Sequence, residues 1–208
     1  MNTVSMVLLP LVEGFEEIEA ISIIDILRRA QLQVTVAGIG SSRITGSHQI
    51  TVETDTTLED LWSRGIQTLV EGYQALVLPG GPGTRSLQAD QRISQLVQAF
   101  FQAERGVGAL CAAPMVLAQA GILAEKKATS YYSPEAYEKA LTGQSPLPVA
   151  VGPIGIYALD PVVVDGRVIT SRGAGTAVEF ALQLVAEWVG IQQAKAIASG
   201  IHSSWQPS

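Results

Sequence analysis

Short apolar runs alternate along this chain with longer segments whose apolar residues recur every three or four positions, the pattern of an α/β domain. Residues 3–9 read as a buried strand, and residues 10–14 as the loop that leaves it. Residues 15–30 read as a helix, with Ile18, Ile21, Ile24, Ile26 and Leu27 on its apolar face. Acids open that helix and Arg28 and Arg29 close it, which suits the helix dipole. Residues 33–39 form a second strand, so the first unit is a parallel βαβ. Residues 44–53 follow as a hairpin turning around Gly46-Ser47-His48, then residues 58–66 as a short helix. Ala75–Leu78 is a buried strand that ends in Pro79-Gly80-Gly81-Pro82-Gly83-Thr84.

The second half repeats the alternation. Residues 91–104 form a helix with Ile93, Leu96, Val97 and Phe100 inward, and the stretch 106–114 passes from an apolar strand directly into a helix ending near Gly121. Residues 128–132 read as a short strand, and Ser133-Pro134 caps a helix that fades by Gly143. Residues 145–153 are proline-spaced and extended, and residues 161–170 form a hairpin around Asp165-Gly166. Residues 171–176 lead into a strong helix over 177–189, and a last helix covers 191–201. No linker or repeat interrupts this order, so it reads as one domain over residues 1–208, mostly parallel in its sheet.

Composition narrows the partners. With 47% hydrophobic and 15% charged residues the chain folds rather than remaining disordered. Its net charge is -6 and Lys and Arg are not clustered, which speaks against nucleic acid and anionic membrane surfaces. A single cysteine forms no internal disulfide and fits a reducing, cytoplasmic setting. The first apolar stretch is preceded by no basic region and is stopped by Pro10, so it reads as a strand rather than a secretory signal.

That cysteine, Cys111, sits at the strand-to-helix turn. A strand that turns at once into a helix puts one residue on a sharp bend with its side chain lifted out, the geometry of a nucleophile elbow. Small neighbours, Gly108, Ala109, Ala112 and Ala113, allow close approach, and helix-start N–H groups favour a thiolate. The alternative is a small buried hydrophobe, the role of most free cysteines. The glycine-rich turn after Leu78 lacks the Gly-Lys-Ser/Thr of a phosphate loop and the G-x-G-x-x-G of a dinucleotide site. It serves as a tight turn, as a backbone N–H aimed above the sheet, or as both. Ligands in such sheets bind beyond the carboxyl ends of the strands, where Glu19, Gly81 and Cys111 can converge.

The motifs Gly14-Phe15-Glu16-Glu17-Ile18-Glu19, Val34-Thr35-Val36-Ala37-Gly38, Val77-Leu78-Pro79-Gly80-Gly81, Leu110-Cys111-Ala112-Ala113-Pro114 and Thr170-Ser171-Arg172-Gly173 stand in order over nearly the whole chain. In them the sequence resembles the ThiJ/PfpI superfamily, in the branch of Parkinson disease protein seven. The resemblance implies a flavodoxin-like sandwich with helices on both faces of the sheet, a homodimer, and no metal or cofactor. It implies a reactive Cys111, a Glu19 carboxyl against the sulfur, and backbone donors at Gly81 and Ala112. With one proton shared by the acid and the thiol, a depressed thiol pKa is expected.

Other positions are more open. Where well-known relatives carry a histidine near the cysteine, this chain has Tyr131, which weakens glyoxalase activity without excluding it. No histidine neighbours Cys111, so peptidase activity is disfavoured. His48 is a cross-dimer contact or a hairpin-tip residue. Arg29 and Arg172 form an anion-binding rim, or else a helix end and a loop hydrogen bond. Gly80 and Tyr131 complete the candidate pocket. Three functions fit: cysteine-dependent chemistry on small reactive aldehydes of the glyoxalase or deglycase kind, a non-catalytic redox sensor or chaperone oxidised at Cys111, or a fold-only relative with an inert cysteine.

Overall fold

The computed structural model describes residues 6–207. In chain order the elements are β1 (Met6–Leu11), α1 (Glu17–Arg29), β2 (Gln33–Gly38), β3 (Arg43–Thr45), β4 (Thr51–Glu53), β5 (Thr56–Thr57), α2 (Leu58–Trp62), α3 (Ile66–Gly72) and β6 (Ala75–Leu78). There follow α4 (Thr84–Ala89), α5 (Gln91–Gln102), β7 (Gly106–Leu110), α6 (Pro114–Gln119), β8 (Lys127–Ala128), α7 (Pro134–Leu141), β9 (Ile156–Tyr157), β10 (Val162–Asp165), β11 (Val168–Ser171), α8 (Ala177–Trp188) and α9 (Ile191–Gly200).

Seven strands form the central sheet in the order β10-β11-β7-β6-β1-β2-β5, parallel except for the β10–β11 hairpin. Counting only β1, β2, β6, β7 and β11, the spatial order is 2-1-3-4-5, the flavodoxin-like arrangement. The two-residue period of a strand divides its apolar side chains between two cores. Val7, Leu9, Ala75 and Val77 meet α1, α8 and α9 on one face, while Leu8, Leu76 and Leu78 meet α3, α5 and α6 on the other. Both sheet faces are therefore covered, as a parallel sheet requires.

The expected elements recur with local differences. The first strand continues through Pro10 to Leu11; residues 3–5 of the expected strand lie outside the described residues. Pro10 is tolerated because β6 pairs only with Val7 and Leu8, so no ladder bond is missed on the side where Pro10 lacks a donor. The expected helix over 58–66 is two helices, broken at Gly65 with φ +85. The expected strand over 128–132 stops at Ala128. Beyond it the backbone is committed to neighbouring loops instead of a ladder: Thr129 N–H donates to Thr170 Oγ1 at 3.0 Å and Tyr131 N–H to the Cys111 carbonyl at 2.8 Å.

Candidate active site

The carboxyl ends of β1, β6 and β7 lie side by side, and the loops leaving them converge above the place where the strand order reverses. Cys111 leaves β7 at φ +64, a left-handed conformation that costs a non-glycine residue roughly 1–2 kcal/mol. The bend is held by Cys111 N–H donating to the Ser171 carbonyl at 3.0 Å and by the Tyr131 bond to its own carbonyl. The side chain is half-buried at the floor of a cavity of about 460 Å³.

The glycine turn after β6 is built around this bend. Gly81 has φ +101, and a side chain there would strike Glu16 N at 2.6 Å and the Gly14 carbonyl at 2.7 Å. At Gly80 an added Cβ would lie 2.7 Å from Cys111 Cβ and 2.8 Å from the Leu110 carbonyl. Gly80→Ala is therefore expected to push the elbow out of register and to destabilise the fold by about 1–3 kcal/mol. Denaturant unfolding measures this, and a stability equal to wild type would mean that the elbow has slack. Gly80 does not line the cavity; its N–H donates to Glu19 Oε2 at 2.8 Å.

Glu19 lies inside α1 and is wholly buried. Burial pushes its carboxyl up to about 7, against the Gly80 N–H and a hydrogen bond with the Cys111 side chain, with the charge of Glu16 adding to the rise. Among the described residues Oε1 meets no hydrogen-bond partner of good geometry, which leaves it open to carry a proton. The expected depression of the Cys111 pKa is not what these surroundings give. Burial first, then the Glu19 carboxylate, push the thiol up to about 12, while the Gly81 and Ala112 N–H groups pull it down. Counting donors and a helix dipole omits the desolvation of the sulfur, and desolvation is the larger effect. As a pair, the two groups release one proton near 7 and the second near 12, and share one proton between.

The remaining candidates divide. Tyr131 lines the cavity, its ring edge-on to that of Tyr132 at 5.5 Å between centroids. His48 is at the hairpin tip, where Nδ1 lies 3.0 Å from Glu17 Oε2 and 3.7 Å from Glu16 Oε2. Arg29 pairs with Asp25 at 2.6 Å, away from Cys111, and Arg172 acts on the Tyr157 hydroxyl without lining the cavity. The two arginines thus form no shared rim around the sulfur. The cation that lines the cavity is Arg85, joined by Glu16, Pro148 and Val149, none of them anticipated from the sequence. Among the described residues Glu16, Glu17 and His48 could together hold a metal ion, with one donor atom each within 4.8 Å of the others. Their donors are already engaged in the hairpin.

Glu17 shows how that hairpin is fixed. Its expected role was to stabilise a helix end, yet the side chain is buried and points away into the turn. Burial opposes its charge, but His48 Nδ1 and the N–H groups of His48 at 2.6 Å and Ile50 at 3.4 Å overcome this and bring its pKa down to about 2. A carboxylate held below its ordinary 4.5 stabilises the fold above that pH and ceases to do so as pH falls toward 2. Glu17→Gln is expected to cost on the order of 3 kcal/mol at pH 7, with the gap from wild type closing between pH 4.5 and 2. Thermal melts across that range test it; a gap that does not vary with pH removes the carboxylate as its cause.

A sequence model of the DJ-1/PfpI family matches residues 5–187. Protein DJ-1 homolog B of Arabidopsis thaliana is 34% identical over 187 residues, 88% of this chain and 38% of that protein, so the chain spans well under half of that relative. The glutathione-independent glyoxalase DJR-1.2 of Caenorhabditis elegans is 34% identical over 181 residues, 87% of this chain and 86% of that one. The crystal structure of Drosophila melanogaster DJ-1beta superposes with a TM-score of 0.79 at 32% identity, covering 97% of this chain and 99% of the other.

Proposed function

The chain belongs to the DJ-1/PfpI family, and from that membership we propose that it is a stress-protective enzyme that converts small reactive 2-oxoaldehydes to 2-hydroxy acids through Cys111 and Glu19, without glutathione. The observation that carries the reading is a strained elbow sulfur with two N–H donors and a buried carboxyl within hydrogen-bonding reach. Between the two ionisations the pair holds one proton. Glu19 ionises near 7 and Cys111 only near 12, so between them the charge rests on the carboxylate and the proton on sulfur. The Glu19 carboxylate takes the thiol proton as the sulfur attacks, so the reacting form is a thiolate beside a carboxylic acid.

The chemistry balances without a cofactor. Sγ attacks the aldehyde carbon, the carbonyl electron pair moves to oxygen, and the Gly81 and Ala112 N–H groups receive the developing charge. Glu19 gives its proton to that oxygen, forming a hemithioacetal. Its carboxylate next takes the hydrogen of the former aldehyde carbon as a proton and returns a proton to the adjacent carbon, while the hydroxyl proton passes to the former ketone oxygen. One carbon is oxidised to a thioester as its neighbour is reduced to an alcohol. Water cleaves the thioester, releasing the 2-hydroxy acid and the thiol. The test is incubation of the purified protein with methylglyoxal in glutathione-free buffer, with lactate measured enzymatically. Lactate above the buffer rate is expected, and its absence ends the reading.

The Gly81 and Ala112 N–H groups beside the sulfur favour one competing use, because they would hold the oxygens of an oxidised cysteine. Peroxide treatment followed by intact-mass measurement distinguishes this role. Stoichiometric oxidation at Cys111 in a protein that makes no lactate would assign it to sensing.

A further inference from the structure

The cavity above Cys111 is lined on one side by Pro148 and Val149, which belong to residues 146–151, a stretch that joins none of the described strands. Three prolines, Pro146, Pro148 and Pro153, stiffen it and its exit. It is held by two side chains of α4. Arg85 Nε donates to the Pro148 carbonyl. The Gln88 amide clasps Ala150 in both directions, Nε2 to the carbonyl at 2.8 Å and N–H to Oε1 at 2.9 Å, and Nε2 also reaches the Met115 carbonyl of the elbow helix at 3.2 Å. One glutamine thus joins α4, the segment and the elbow helix. At its far end Gly152 is pressed so closely on α6 that an added Cβ would lie 2.3 Å from the Ala118 carbonyl.

Beneath the segment lies a third apolar cluster, separate from the two sheet cores, in which Val149 packs with Ala112, Met115, Tyr132 and Tyr137. Val149 and Pro148 belong to the cavity wall as well, together with Pro82 and the rings of Tyr131 and Tyr132. The floor carries the sulfur; Arg85 and Glu16 are the charged groups of the lining. A volume of about 460 Å³ suits a ligand far larger than a three-carbon aldehyde. An apolar wall contributes to binding only for a substrate with an apolar surface to cover, and aromatic walls favour rings.

We propose that residues 146–151 are a specificity wall that makes this site select carbonyl electrophiles bearing a bulky apolar group, aromatic ones above all, over methylglyoxal. That the electrophile is an aldehyde rests on the function proposed above; the wall itself rests on the lining. Gln88 is a positioning residue, which acts by holding Pro148 and Val149 in place.

Two assays on the full chain separate the two readings. In the first, kcat/KM for phenylglyoxal is expected to exceed that for methylglyoxal at least tenfold. Gln88→Ala is expected to raise KM for phenylglyoxal several-fold with kcat retained, and Val149→Ser to erode the preference, both with wild-type circular dichroism. In the second, needing no turnover, Cys111 is alkylated by 2-bromoacetophenone and by iodoacetamide, and the rate ratio is divided by that of free cysteine. A quotient of ten or more is expected, falling toward one in both variants. If neither aldehyde is turned over and the quotient stays high, the aldehyde chemistry fails and the wall stands. If both aldehydes are turned over equally and the quotient is one, the wall is overturned and the aldehyde chemistry stands.

Discussion

Replacing Cys111 by alanine is expected to reduce 2-hydroxy acid formation by at least ~10³-fold, to the rate of buffer, while the protein remains folded. Nothing else in the cavity can form the covalent bond that the chemistry needs. The charged groups of the lining are Glu16 and Arg85, and neither is placed to replace a sulfur carried at φ +64. The backbone strain survives the substitution, because alanine bears the same left-handed conformation at a similar cost. Glycine bears it freely. Cys111→Gly is therefore expected to be equally inactive yet to melt above Cys111→Ala by a few degrees, from about 1 kcal/mol of relieved strain. Activity retained in the alanine variant would move the chemistry away from the elbow. Equal melting of the two variants would mean that the bend is held by its surroundings without strain.

The elbow was legible because its signal is local. An apolar strand passing into a helix with no polar spacer leaves few backbone routes, and the positive φ of Cys111 is the one taken. Of the two readings of Arg29 the structure takes the helix end, with Asp25 four residues before it as its partner. What failed to show depends on distant segments. Glu17 reads as a helix-end charge until the hairpin turn, 31 residues on, is seen to fold onto it. Arg85 gives no local sign that its partner is Pro148, 63 residues away. Proline spacing indicates that residues 146–151 are extended, but which surface they cover depends on Gln88 and the elbow helix. The direction of the thiol shift belongs to this class too, since desolvation follows from how many segments close over the sulfur.

Glu19→Gln is expected to reduce turnover by about 10²–10⁴-fold and to make the protein more stable. Both effects follow from one buried carboxyl. A folded-state pKa of about 7 lies above the ordinary 4.5, so the folded chain binds more protons than the unfolded chain between those values. Wild-type stability therefore falls as pH rises from 4.5 through 7, by on the order of 3 kcal/mol. The amide has no charge to desolvate, and its oxygen can still accept from the Gly80 N–H that holds Oε2 at 2.8 Å. The variant should melt close to wild type at pH 4.5 and on the order of 5–10 °C higher at pH 8. The alkylation profile of Cys111 reports the same group from the other side. In wild type the rate should climb through about pH 7, as Glu19 ionises and becomes able to take the thiol proton, and then level. In the variant only the thiol's own ionisation remains. Burial still raises it and the Gly81 and Ala112 N–H groups still lower it, but the Glu19 charge is gone, so its midpoint should fall below 12 and well above the wild-type step. If instead the two profiles coincide, Glu19 does not take the thiol proton and is a buried acid that the fold tolerates without using.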